Sequence, residues 1–303
     1  RDSSTSRGLG DVYKRQGMAY AGFGVWALVA QQLSNTMIDT LILWITVSWR
    51  PKKAFSWKRL TALLAFGWKL LVSALLETGY NNLRNLIIGK MYSPADLAYY
   101  NQGDKFPSVI TSNINASIDS VLLPTMASVQ DDASRVKSMT RRAIKTSTYI
   151  MAPLMMGLAF CAEPIVRLVL TDKWLACVPF LRIFCITYMF YPIHTANLNA
   201  IKAMGRSDLF LKLEIAKKIV GMALLLSTMW FGVMAMAYSL LVSSVTSQII
   251  NSWPNRKLLN YRYLDQLKDI LPGIALAIFM GCCVNLVALL HLSNTVTLLI
   301  QIP

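Results

Sequence analysis

The stretch 202–257, KAMGRSDLFLKLEIAKKIVGMALLLSTMWFGVMAMAYSLLVSSVTSQIINSWPNRK, decides the fold. It opens on a loop with Lys202, Arg206 and Lys212, and crosses an apolar span at about 207–230. It turns at 231–234 without a charge, returns through a second span at about 235–252, and ends on Arg256 and Lys257. A helix needs about 20 apolar residues to cross the hydrocarbon core of a bilayer. Two such spans, joined by a neutral turn and flanked by basic loops, form a transmembrane hairpin with both basic ends on one side.

The pattern extends outward in both directions. Further spans are expected at about 23–49, 60–89, 97–128, 143–162, 175–201 and 270–289, with a cut-off one from about 295. The loops 50–59, 130–145, 202–212 and 254–268 hold 17 of the 30 Lys and Arg residues. The alternate loops hold only Lys90, Arg167 and Lys173. Charge sorted by loop parity puts the basic loops in the cytoplasm; a soluble helical bundle has no reason to sort it.

Composition agrees. Hydrophobic residues make up 55% of the 303, charged residues 15%, and mean hydropathy is +0.45. A soluble domain carries about 25% charged residues. The net charge of +15 therefore reports membrane-bounded loops that meet anionic lipid headgroups, not nucleic acid. The five cysteines sit in or beside apolar runs without metal-ligand spacing, so buried apolar packing is their expected role. No phosphate-binding glycine loop, GxSxG elbow or HExxH pair occurs. The longest outer loop, about twelve residues at 163–174, cannot hold a catalytic domain. No catalytic residue, metal or cofactor is expected.

Residues 1–16, RDSSTSRGLGDVYKRQ, are polar and stop abruptly at Gly17. They resemble translated sequencing-adapter read-through and are set aside as non-native. The chain is then expected to start and end inside a longer protein.

Polar residues inside the spans carry the functional expectation, since intramembrane charges face a protein interior or water. On the second span Lys69, Ser73, Glu77 and Arg84 fall on one stripe, with Asn81 beside it. Either Glu77 and Arg84 form an internal salt bridge, or the stripe lines a hydrated cavity; several unpaired polar groups on one face favour the cavity. The start of the third span, 99–107, adds Asp104 and Lys105 near the cavity's outer mouth, and Gly103, Pro107 and Pro124 suggest a broken helix. A third patch, 191–199, contains His194, read as a hydrogen-bonded interior residue. Glu214 and Lys218 are spaced for a local ion pair, and Asp269 lies close enough to a boundary to snorkel.

Several strings, in order along the chain, resemble the oligosaccharide flippase (Wzx/TuaB-type polysaccharide biosynthesis) family of the multidrug/oligosaccharidyl-lipid/polysaccharide exporter superfamily. They include Tyr80-Asn81-Asn82, Ala98-Tyr99-Tyr100-Asn101-Gln102-Gly103-Asp104, Asp172-Lys173-Trp174, Tyr191-Pro192-Ile193-His194 and Lys202-Ala203-Met204-Gly205-Arg206. The resemblance implies an all-α polytopic membrane protein with two six-helix lobes around a cationic cavity. On that template 17–49 is the last helix of the first lobe, 50–252 the second six-helix lobe and 253–303 trailing helices. It also implies a function: translocating an undecaprenyl pyrophosphate-linked oligosaccharide across the bacterial inner membrane for surface polysaccharide synthesis. Polysaccharide polymerase and chain-length machinery would be partners. Lys69, Arg84, Lys105, Arg182 and Asn81 become candidates for the substrate, and Glu77 and Asp104 for ion coupling. A multidrug/cation antiporter of the same superfamily would favour acidic and aromatic cavity residues instead. A membrane-bound polymerase or ligase would need a larger outer loop.

Overall fold

The computed structural model describes residues 26–47, 56–57, 60–61, 75, 78–80 and 82–288. Lys69, Ser73, Glu77 and Asn81 lie outside the described residues, as do the stretch 1–16 and the span expected from 295. The described residues are helical throughout, without a strand. The chain divides into two units, Arg1–Ala65 and Phe66–Pro303.

The first unit contains helix α1 (Trp26–Thr46). Its large apolar side chains, Trp26, Leu33, Met37, Leu41 and Trp44 among them, are exposed. Its threonines are exposed too, but Thr36, Thr40 and Thr46 each donate to the carbonyl four residues back, at 3.0, 2.7 and 2.7 Å. Hydroxyls satisfied by their own backbone leave an apolar exterior suited to lipid.

The second unit begins its regular structure with helical residues 82–91. Then come α2 (Pro94–Ala127), α3 (Ala133–Phe160) and the short α4 (Ala162–Leu170). A 3-10 turn at Asp172–Cys177 leads to α5 (Val178–Tyr188) and α6 (Tyr191–Ala203). Two long helices follow, α7 (Ser207–Thr228) and α8 (Val233–Leu258), and then α9 (Tyr263–Ala288). Each span expected within these residues is helical, with 175–201 divided among the 3-10 turn, α5 and α6. By length and apolar composition Asp172–Ala203, Val233–Leu258 and Tyr263–Val284 can each cross a membrane, and α3 with α4, bent by 68°, makes a fourth. α7 is more polar because it carries Lys212, Glu214, Lys217 and Lys218.

Local chemistry sets the ends. Ser93 and Asp96 form a capping box on α2: Ser93 Oγ accepts from Asp96 N at 3.1 Å, and Asp96 Oδ2 accepts from Ser93 N at 3.2 Å. Asp132 caps α3 by accepting from the amides of Ser134 and Arg135 at 3.0 and 3.1 Å. α3 starts so early that Arg135, Lys137, Arg141, Arg142 and Lys145 ride on its first turns and not on a loop.

The break expected in the third span does not occur; α2 runs unbroken for 34 residues with Pro107 and Pro124 inside it. Gly103 serves a different purpose. A Cβ there would lie 2.8 Å from Phe180 Cβ and 2.9 Å from Leu181 N. The missing side chain lets α2 press directly on α5, where any larger residue would collide with backbone.

Three apolar clusters hold the unit together. Met151, Met155, Leu181 and Cys185 centre one between α3 and α5. Ile144, Ile193, Ala200 and Ile270 centre another where α3, α6 and α9 meet. Ile88, Tyr100, Phe184 and Met236 join residues 82–91 to α2, α5 and α8. Cys161, Cys177 and Cys185 are buried as expected, whereas Cys282 and Cys283 are exposed on α9.

Candidate functional site

Of the basic residues assigned to a substrate cavity, the three described ones do not converge. Arg84 is 5% exposed. Its Nη1 donates to the Met236 carbonyl and, at 3.4 Å, to Ser239 Oγ, both on α8. Nη2 has no partner. The guanidinium is thus a clamp between residues 82–91 and α8, not a group on a water-filled stripe. Lys105 points away from the bundle and is exposed. Arg182, also exposed, donates from Nε to the Ala159 carbonyl at 3.3 Å. There it satisfies an end carbonyl of α3, where a cation also complements the helix dipole.

Asp104 and Lys105 do not pair. Asp104 turns inward and accepts from Tyr188 Oη at 2.5 Å, which ties α2 to α5. Tyr188 in turn packs edge-on against Tyr191 with 4.9 Å between ring centroids, and Tyr191 against His194 at 5.7 Å. The patches 99–107 and 191–199, separate in sequence, are therefore joined through Tyr188. Asp104 belongs to this interior chain, not to an outer mouth.

That chain ends in a polar cleft of about 390 Å³ enclosed by α2, α5, α6, α7, α8 and Tyr80. Helix periodicity assembles it: Asn115 and Asp119 stand one turn apart on α2, Tyr191, His194, Thr195 and Leu198 on one side of α6, and Ser243, Ser244 and Ser247 on α8. Two of the four charged groups that line it pair with each other. Lys217 Nζ is 2.6 Å from Glu214 Oε1, so Glu214 pairs three residues on and not with Lys218. Lys218 Nζ lies 4.6 Å over the Tyr80 ring. Asp119 Oδ1 accepts from Asn199 Nδ2 at 2.6 Å. His194 is hydrogen-bonded as expected, with Nδ1 3.0 Å from Asn251 Nδ2. Two buried polar atoms of the lining, Tyr80 Oη and Asn115 Oδ1, have no partner.

Sequence reasoning named Tyr80, the 191–199 patch, Glu214 and Lys218 on separate spans, but it did not bring them together and did not single out Asn115 or the serines of α8. The signal that could have collected them was the run of hydroxyls 243–247 in an otherwise apolar span, opposite the polar spacing of 115 and 119.

Behind the cleft, the same segment of α2 turns its other side to α3 and forms an apolar groove of about 480 Å³. Ile114, Ile118, Val121 and Ile150 line it. The polar residues at its edge are quenched by backbone: Asn113 Nδ2 donates to the Val109 carbonyl at 2.8 Å and Ser117 Oγ to that of Asn113 at 2.9 Å.

Two further polar clusters are structural. Asn197, Asn255 and Gln266 are almost fully buried and bind one another, with Asn197 Nδ2 to Gln266 Oε1 at 2.8 Å and Asn255 Nδ2 to Asn197 Oδ1 at 2.7 Å. They lock α6, α8 and α9 together. Asp269, expected to snorkel, is 6% exposed and bracketed by Arg141 at 2.6 Å and Lys145 at 3.0 Å. Among the described residues no group of acidic, His and Cys side chains is arranged to hold a metal.

Comparison with known proteins fits this architecture. The fold superimposes on the lipid II flippase MurJ in an inward closed conformation, with TM-score 0.74, 15% identity, and coverage of 92% of this chain and 60% of that one. The teichuronic acid biosynthesis protein TuaB of Bacillus subtilis is 22% identical over 78% of this chain and 50% of its own length. The succinoglycan biosynthesis transport protein ExoT of Rhizobium meliloti is 24% identical over 56% of this chain and 34% of its own. The lipopolysaccharide biosynthesis protein WzxC of Escherichia coli is 24% identical over 67% and 41%. The chain thus spans between a third and a half of the length of these curated relatives. The family model described as polysaccharide biosynthesis protein matches residues 12–179, more than half of the sequence, and the chain belongs to that family.

Proposed function

We propose that this chain supplies the second lobe of a flippase that carries an undecaprenyl-linked oligosaccharide across the bacterial cytoplasmic membrane for surface polysaccharide synthesis. The observation that carries the reading is the double role of α2 near 113–122. One side of this segment faces a polar cleft through Asn115 and Asp119; the other faces an apolar groove through Ile114, Ile118 and Val121. An amphiphile with a hydrated head and a hydrocarbon tail is the cargo that needs both environments at one depth. The polar head cannot enter hydrocarbon without replacement hydrogen bonds, while the tail stays in apolar surroundings. The relatives' names, which include polysaccharide biosynthesis and transport proteins, support the same substrate class. With a first lobe present, rocking of the two lobes would expose the cargo to each side in turn.

Residues 50–252 would form the six-helix lobe, with α1 closing the first lobe and α9 trailing. Basic loops would face the cytoplasm, and polymerase and chain-length machinery would receive the flipped lipid. Because Arg84, Lys105 and Arg182 do not converge, charge recognition of the pyrophosphate would fall to Lys69, which lies outside the described residues, or to the other lobe. The test is reconstitution of the full-length protein in vesicles with a fluorescent undecaprenyl-linked oligosaccharide. Translocation measured by loss of accessibility to an external glycosidase is expected; equal rates in protein-free vesicles would overturn the reading.

A further inference from the structure

We infer that the pocket between α3 and α9 is a site for one resident anionic phospholipid, whose phosphodiester meets Lys145 and Arg141 while its chains run from the groove into the bilayer. This goes beyond the flippase reading and does not depend on it. The pocket has about 380 Å³, and Lys145, Thr146, Tyr149, Ile270, Pro272 and Gly273 are among its lining. Arg141, Lys145 and Tyr149 follow one another at four-residue intervals on the exposed side of α3. Two cations and then an aromatic ring is the order in which a helix passes from headgroups toward hydrocarbon.

The ion cluster that fastens α3 to α9 has a second face. Cations four residues apart repel on a bare helix. Here Asp269, with a side chain only 6% exposed, holds both from behind, 2.6 Å from Arg141 and 3.0 Å from Lys145, while the cations stay 54% and 48% exposed. A carboxylate accepts at about four places. Arg141 Nε and Nη2, Lys145 Nζ and Tyr261 Oη fill them. Arg141 Nη1 and the remaining Lys145 protons have no protein acceptor among the described residues. Asp265, one turn earlier on α9, accepts from the amide of Arg262 at 3.3 Å. The face turned outward therefore offers donors alone, with two cations against one hidden acid.

That chemistry selects among ligands. The oxygens of a phosphodiester accept from both cations at once. A zwitterionic headgroup brings a cation of its own, and every acceptor position of Asp269 is already taken. Inorganic phosphate matches the charges but leaves Ile270, Pro272 and Gly273 uncovered. A diacyl lipid with a net negative head satisfies both parts, as a basic pocket between membrane helices requires.

The experiment uses the full-length protein, delipidated in detergent and titrated with dioleoylphosphatidylglycerol or dioleoylphosphatidylcholine under native mass spectrometry. One phosphatidylglycerol is expected to bind about tenfold tighter than phosphatidylcholine. Lys145→Gln keeps a donor for Asp269 but removes the charge; it should erase that tenfold preference and leave phosphatidylcholine binding unchanged. Arg141→Gln should act in the same direction and decides the matter if the first variant folds poorly. Lys212→Gln removes the same charge from an exposed position on α7, which packs on α6 and α8, and should change neither affinity. Phosphatidylglycerol should raise the unfolding temperature of the wild type more than that of Lys145→Gln, and the two should unfold alike without lipid. Equal affinity for the two lipids in the wild type, or equal weakening by Lys145→Gln and Lys212→Gln, overturns the site in favour of general attraction to a basic surface. Displacement of the lipid by an equal concentration of glycerol 3-phosphate overturns it in favour of a free-anion site.

Discussion

Arg141 and Asp269, 128 residues apart, meet as a two-pronged pair: Nε to Oδ2 at 2.6 Å and Nη2 to Oδ1 at 2.8 Å. Lys145 Nζ adds a contact at 3.0 Å and Tyr261 Oη donates to the same carboxylate at 2.9 Å. One acid on α9 thus fastens three groups from α3 and the turn before it. The arrangement is asymmetric, and asymmetry predicts the outcome of mutation. Asp269→Ala strips the anchor from all three and should lower stability by about 1–2 kcal/mol, less than for a fully buried pair because Arg141 is half exposed. Arg141→Ala should cost less, since Lys145 and Tyr261 still satisfy the carboxylate. Thermal unfolding in detergent measures both; equal losses would show that the contacts are not shared in this way.

Arg84 invites a sharper contrast. Arg84→Ala should destabilise the protein by about 3 kcal/mol, because truncating a buried side chain leaves a void against α8, while the Met236 carbonyl keeps its bond from Ser239 Oγ at 2.8 Å. Arg84→Met should be nearly neutral, since it fills the space and removes a charge whose Nη2 has no partner. Lys105→Ala should shift stability by no more than about 0.5 kcal/mol, as for other exposed sites. Membrane levels and unfolding temperature report all three. A stable, well-expressed Arg84→Ala with lost transport would return Arg84 to the substrate path.

Glycine positions give a prediction of opposite sign at two sites. Gly103→Ala forces a methyl to within 2.8 Å of Phe180 Cβ and 2.9 Å of Leu181 N, and neither atom can move without moving α5. Destabilisation of about 1–3 kcal/mol is expected. Gly157→Ala meets only the end of Met280 at 3.7 Å, so it should be neutral or gain up to about 1 kcal/mol from helix propensity. Comparable unfolding temperatures for the two variants would contradict the packing account.

The cap of α3 should respond to acid. The hydroxyl of Ser134, and after it the amide of Arg135, hold the Asp132 carboxyl below its ordinary value. A depressed carboxylate contributes above its unfolded pKa, and that contribution disappears as pH falls through the depressed value. The amides of Ser134 and Arg135 should therefore stay protected at neutral pH and lose protection only in strong acid. Hydrogen exchange followed by mass spectrometry reads this. Asp132→Ala should show weak protection at every pH; a variant as protected as the wild type would remove the cap from the account.

Much of this fold is written locally. The positions of α2, α3, α7 and α8 follow from apolar run length, and the Ser93 and Asp132 caps sit where a polar residue precedes such a run. The site was less legible because its members choose partners across the fold. Glu214 has Lys217 and Lys218 three and four residues away, and spacing alone does not separate them; packing of Lys218 over Tyr80 does. Asp104 lies beside Lys105 in sequence, yet α2 points them apart, and only the docking of α5 brings Tyr188 to Asp104. Gly103 and Pro107 carry the same letters whether a helix breaks or merely allows a neighbour close; the identity of that neighbour decides.

Orientation is the last expectation open to test. Ser134 stands in the first turn of α3 and Asp172 follows α4. α3 alone, 28 residues long, spans roughly 40 Å at 1.5 Å per residue, more than the hydrocarbon core requires. Single cysteines at these two positions should therefore label from opposite sides. The five basic residues of α3 all lie within its first thirteen positions, and by the positive-inside rule the Ser134 end is expected in the cytoplasm. A membrane-impermeant maleimide added to intact cells should miss Ser134→Cys and modify Asp172→Cys. Cys282 and Cys283, which are exposed, must first be replaced by serine or alanine. Modification of Ser134→Cys alone would invert the topology, and modification of both from outside would mean that α3 does not cross the membrane.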